Sequence, residues 1–251
     1  MLLLLVLLTL VGCQTASRRQ APPDLIGTAT PDGFPADVRL VTTDVRGFSL
    51  VARDFYSGLQ SSAHGRTINI LALSGGGSGA AYGAGVLAGM SRANTRPTFA
   101  LVTGVSAGAL LAPFAFLGPP WDGRMQQAFT GEPSARLMRS PRLTFLSRTL
   151  SPRGSPHRNA LFKLVDHFVT PQMIEAVARE ADTGRQQIVA TTDLDKHETV
   201  LWSLGKIARH GGPAAHHLFR DVLVASASAT GSSRRYWFAC VRAAASMTKC
   251  T

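Results

Sequence analysis

"NILALSGGGSGAAYGAGVL", Asn69 to Leu87, and "LVTGVSAGALLAPF", Leu101 to Phe114, share one plan: an apolar run, a glycine-rich turn, then a run of small helix-compatible residues. Apolar runs of this length bounded by turns read as buried strands, and the runs after them as helices packed on a sheet. The spacing therefore predicts two strand-turn-helix units side by side.

The first turn can be tested as a dinucleotide fingerprint. Gly75, Gly77 and Ala80 fit G-x-G-x-x-[G/A] between a strand and a helix. Such a site also needs an acidic residue about 20 positions on to hold a ribose hydroxyl. No Asp or Glu occurs between Asp54 and Asp122, so a nicotinamide site is not expected. A phosphate-binding loop is excluded in the same way, because no Lys-Ser/Thr pair follows the glycines.

The second turn, Gly104-Val105-Ser106-Ala107-Gly108, is G-x-S-x-G, the nucleophile elbow in which a sharp turn lifts a serine hydroxyl over the end of a sheet. Glycines two before and two after the serine keep side chains out of the neighbouring helix and strand. A serine ester forms through a tetrahedral oxyanion, which preorganised N–H donors at a helix N-terminus stabilise. Gly75, Gly76 and Gly77, lacking side chains, can approach a substrate closely enough to supply them. If the two strands are parallel neighbours, one turn carries the nucleophile and the other meets the charge it creates.

The rest of the chain bounds these possibilities. With 251 residues, 45% of them hydrophobic, it can bury one sizeable core. The net charge of +11 comes from arginines spread along the chain, not from a block that would track nucleic acid, so nucleic acid is not an expected partner. Residues 1–12 read as a signal peptide, with the apolar run Leu2 to Val11 too short to span a bilayer. The following Cys13 fits a lipoprotein acylation site, which would anchor the chain to a membrane. Residues 13–34 read as a lipidated N-terminus and linker, and 35–251 as the folded domain. Cys240 and Cys250 do not make a disulfide framework or a metal site, and no metal or cofactor is expected.

Further on, Thr170 and Pro171 open a helix with Ile174, Val177, Ala178 and Ala181 on one face and Gly184 as its stop. "QQIVATTDL" and "TVLWSLG" read as strands, and "AAHHLFRDVLVASASA" as a helix. Alternating strands and helices predict an α/β fold with a mainly parallel sheet.

With these segments in this order, the chain resembles the bacterial patatin-like phospholipases. "LALSGGG", "YGAGVL", "GVSAGAL", "ATTDLD" and "LFRDVLVASAS" are similar to family segments, over about 67–229. The resemblance implies a three-layer α/β fold and hydrolysis of lipid or phospholipid acyl esters. It also implies Ser106 as nucleophile and the Gly75, Gly76 and Gly77 amides as oxyanion donors. The resemblance of Cys13 and the residues before it to a lipoprotein acylation site separately implies a lipid-anchored place in the bacterial cell envelope. Gly79 stands where the family usually has a basic residue, and Ala80 where it has a last glycine.

The family completes a Ser-Asp dyad with an Asp-Gly-[Gly/Ala] motif after the "ASAS" helix, and no such motif follows it here. Asp32-Gly33 precedes both glycine turns, Asp122-Gly123 follows Ser106 too closely, and Asp193 and Asp195 resemble structural residues of the family. Residues 230–251 do not resemble the family. Moving the reading frame back by one nucleotide turns the last base of Met247 and the first two of Thr248 into an Asp codon. The same frame through Ser246 to Thr251 permits Tyr-Asp-Glu-Met-His, similar to the family segment before its catalytic Asp. A frameshifted, truncated C-terminus is therefore expected, and with it weak or absent activity. Two alternatives stand beside the dyad. One is an α/β-hydrolase triad drawing on Asp166, Asp193, Asp195 or Asp221 with His197, His210, His216 or His217. The other is a lipid-tethered domain that keeps the pocket but not the chemistry.

Overall fold

The computed structural model describes residues 30–65, 67–131, 156–193, 197–228 and 240–241. Its central sheet is built from β2 (Arg39–Val41), β3 (Ile70–Leu73), β4 (Leu101–Val105), β5 (Gln186–Asp193) and β6 (Glu198–Ser203), in the order β2-β6-β5-β4-β3. β3, β4 and β5 are parallel neighbours, and β6 pairs antiparallel with both β5 and β2. Four of the five strands thus point one way. A short pair lies outside this sheet, β1 (Thr30–Pro31) antiparallel to β7 (Cys240–Val241).

Among the described residues eight helices accompany the strands: α1 (Val45–Ala63), α2 (Gly79–Arg92), α3 (Ala107–Leu117), α4 (Asp122–Thr130), α5 (Pro156–Phe168), α6 (Pro171–Asp182), α7 (Leu204–His210) and α8 (Gly212–Ala227). α3 is the core helix. Its residues Ala109, Leu111, Ala112, Phe114, Ala115 and Phe116 are all buried, because β4, β5, α2 and α8 surround it. An apolar sequence with no polar stripe can be stable as a helix only in such a place.

The mainly parallel α/β architecture agrees with the sequence expectation, and so do both strand-turn-helix units. α6 begins as expected: Thr170 accepts a hydrogen bond from the Met173 amide at 3.3 Å, Pro171 fills the first turn, and Gly184 leaves with φ 93°. Two details differ. "TVLWSLG" is strand only as far as Ser203, whose hydroxyl caps the Lys206 amide and turns Leu204 and Gly205 into the start of α7. Residues 30–34, expected as linker, belong to the folded body. Phe34 is buried, with its ring 4.3 Å from that of His210.

α1 was not foreseen, although its signals are in the sequence. Asp44 caps it by accepting from the Gly47 amide at 2.9 Å, and Val51, Phe55, Leu59 and Ser62 recur at helical spacing along its packed side. It crosses close to the turn before β5: a Cβ on Gly58 would meet the Gly184 carbonyl oxygen at 3.1 Å. At the other edge of the sheet Ile70 of β3 remains 59% exposed, so α1 covers one face only in part.

Candidate active site

The parallel register sets Leu73 of β3 beside Gly104 of β4, so both strands end at the same edge. β4 runs into Ser106, which stands at φ 55° and ψ −126° before α3 begins at Ala107. A non-glycine residue with positive φ is strained, and such strain clusters where a side chain must be presented in a fixed direction. The flanking glycines are there for steric reasons. A Cβ on Gly104 would meet Ala109 Cα and Gly108 O, both at 2.8 Å. One on Gly108 would strike the Leu73 carbonyl and stand 2.7 Å from Ser74 O.

The glycine loop lies directly against this elbow. A Cβ on Gly75 would be 3.0 Å from Ser106 Cβ and 3.6 Å from its Oγ. Gly76 and Gly77 take φ values of 148° and 55°, which turn the chain into α2. The turn is closed by the Gly79 amide donating to Gly76 O at 3.0 Å and the Ala80 amide to Gly77 O at 3.2 Å. Among the described residues no acceptor takes the N–H groups of Gly75, Gly76, Gly77 or Ala107. Two helix N-termini, those of α2 and α3, therefore meet beside one half-buried serine hydroxyl. Their dipoles and open amides favour negative charge there. Ala80, in place of a family glycine, is buried, whereas Gly79 is exposed and offers no cation.

Sequence reasoning missed Ser226, on the third element of the site. It lies on α8, where its hydroxyl accepts from the Ser106 amide at 2.9 Å and donates to Ala190 O of β5 at 2.7 Å. It sits inside the quoted "LFRDVLVASAS", but a serine in an apolar helix carries no signal of what it faces.

The other candidates are dispersed. Asp122 heads α4 and pairs with Arg96 at 2.6 Å. Gly33, beside Asp32, offers its carbonyl to His210 Nε2 at 2.9 Å. His216 Nε2 lies 2.9 Å from Val169 O. Asp166 and Asp221 both pair with Arg220. Burial pushes the Asp221 carboxyl above the usual carboxylate range, with Arg220 opposing the shift. Asp193 ends β5 opposite Glu198, and His197 occupies the following turn at φ 55°. Asp195, Cys13 and Cys250 lie outside the described residues, as do residues 229–239 and 242–251 of the atypical tail. Among the described residues, no histidine or carboxylate hydrogen-bonds the Ser106 hydroxyl.

No curated protein and no solved structure matches the chain at significance. The family described as patatin-like phospholipase matches residues 71–235, about two thirds of the chain, from β3 through both glycine turns and past α8. On that match, and on the mainly parallel α/β fold that carries it, the chain belongs to the patatin-like phospholipase family, a family of lipid acyl hydrolases.

Proposed function

We propose that Ser106 is the nucleophile of this hydrolase and that the amides of Gly75, Gly76 and Gly77 receive the oxyanion. The observation that carries this is the contact between the two turns: a strained serine between strand and helix, with Gly75 packed against its side chain. A lipid ester would place its carbonyl carbon over Ser106 Oγ with the oxygen toward the open amides. Attack forms the tetrahedral oxyanion, its collapse expels the alcohol, and water hydrolyses the acyl-serine. In the family an Asp takes the serine proton, and none of the described carboxylates stands in that place. A unit of this kind that lacks its base loses factors on the order of a thousand or more, so slow turnover is expected if the described carboxylates are the ones available.

A fluorophosphonate probe and a p-nitrophenyl ester test this together. Slow labelling of residue 106, abolished in Ser106→Ala along with the slow hydrolysis, is the expected result. Labelling at another residue, or hydrolysis that survives the substitution, overturns the assignment. A chain that takes no label at all but still binds lipid vesicles would favour the second reading, a domain that keeps the pocket without the chemistry. The lack of a base beside Ser106 among the described residues is what supports that second reading.

A further inference from the structure

In the parallel ladder between β4 and β5, rungs alternate at two-residue steps on each strand. The Gln186 amide donates to Ala100 O at 2.8 Å, and the register sets Val105 beside Ala190. Continued at that step, the next rung past Val105 would join the Ser106 amide directly to Ala190 O. That rung is replaced. The Ser106 amide donates instead to Ser226 Oγ, and the Ser226 hydroxyl donates to Ala190 O.

We propose that Ser226 is a positioning residue: its hydroxyl is inserted as a relay into the last β4–β5 rung, holding the Ser106 backbone in its strained elbow geometry. A direct rung would keep residue 106 in the plane of the ladder. The relay lets the chain leave the sheet one residue early while the Ser106 amide and the Ala190 carbonyl both stay satisfied. It also commits the hydroxyl's single proton to Ala190 O and withdraws the Ser106 N–H from the oxyanion site. The donors left there are the glycine-loop amides and the amide of Ala107. A half-buried serine on α8 thus connects three elements at the point where the nucleophile is aimed.

The effect on catalysis rests on the proposed role of Ser106, but the hydrogen bond itself can be tested without it. Amide hydrogen exchange at Ser106, read residue by residue in native protein, is the primary measurement. Ser226→Ala should speed that exchange about tenfold, the scale of one lost hydrogen bond. Ser226→Thr, which keeps the hydroxyl, should restore the slow exchange. Ser226→Cys has nearly the volume of serine but is a poor donor and acceptor, so it should resemble Ala and serves in its place if Ala does not fold.

Fluorophosphonate labelling of Ser106 should fall about tenfold in the Ala and Cys variants and recover with Thr, at unchanged affinity for vesicles. Unchanged exchange at Ser106 in both the Ala and Cys variants, or no recovery in Thr, overturns the relay. Failure of the unaltered chain to label counts against the nucleophile assignment alone, because the exchange experiment still decides the relay.

Discussion

At the N-terminal end of α3, Ser106 is strained, no side chain caps the helix, and the Ala107 amide meets no acceptor among the described residues. At the C-terminal end, about 16 Å away by helical rise, two buried arginines take the terminal carbonyls. Arg96 donates to Phe114 O at 3.0 Å and Ala115 O at 3.2 Å while pairing with Asp122. Arg185 donates to Phe116 O at 2.5 Å and Phe99 O at 2.8 Å, pairs with Glu180, and lies over the Phe116 ring. Both cations complement the negative end of the helix dipole. Burial lowers the Arg185 pKa from its ordinary value, and the Glu180 carboxylate opposes the shift. One helix therefore has an end where the carbonyls of Phe114, Ala115 and Phe116 are bonded by arginines and an end with donors left open. The first end holds the helix in place, so the second can remain strained and available to a substrate.

The contrast is most strongly tested from the clamped end. Arg185→Met should remove about 3–5 kcal/mol of stability, since it strands the carbonyls of Phe99 and Phe116 in a buried place and separates an ion pair. Urea unfolding measures this. A loss below about 1 kcal/mol would mean that the clamp is not what holds α3.

Gly108→Ala probes the open end. The added methyl has only the backbone of Leu73 and Ser74 to displace, so a loss of about 3 kcal/mol is expected, together with loss of labelling at Ser106. Normal stability and labelling would show that the elbow does not pack against β3 as described.

The smallest effect has the opposite sign. Ser106→Gly relieves a positive φ and should raise stability by about 1 kcal/mol while removing the hydroxyl, the trade expected where strain serves function. A destabilised glycine variant would show that the serine's backbone is not strained.

Much of this site is legible in the sequence. The elbow, the glycine loop and their common sheet edge follow from two strand-turn-helix patterns. The steric need for Gly104 and Gly108 follows from the sharpness of the turn. The helices α1, α4, α5 and α7 were less visible, because short or half-exposed helices with mixed faces carry weak periodicity. The antiparallel placement of β6 next to β5 was also hidden, since "TVLWS" has the same apolar content in either direction.

By itself the sequence determined which residues could form strands ending in glycine turns, and where a serine could stand between them. Those properties are local: they depend on side-chain size, backbone freedom and apolar periodicity within about fifteen residues. Tertiary structure alone decided that Ser226 completes the rung beside Ser106, 120 positions earlier in the chain, and that Arg96 and Arg185 close the far end of the same helix. Serine and arginine side chains have no fixed partner until burial removes water as the alternative. Only the folded register determines which backbone group each one meets.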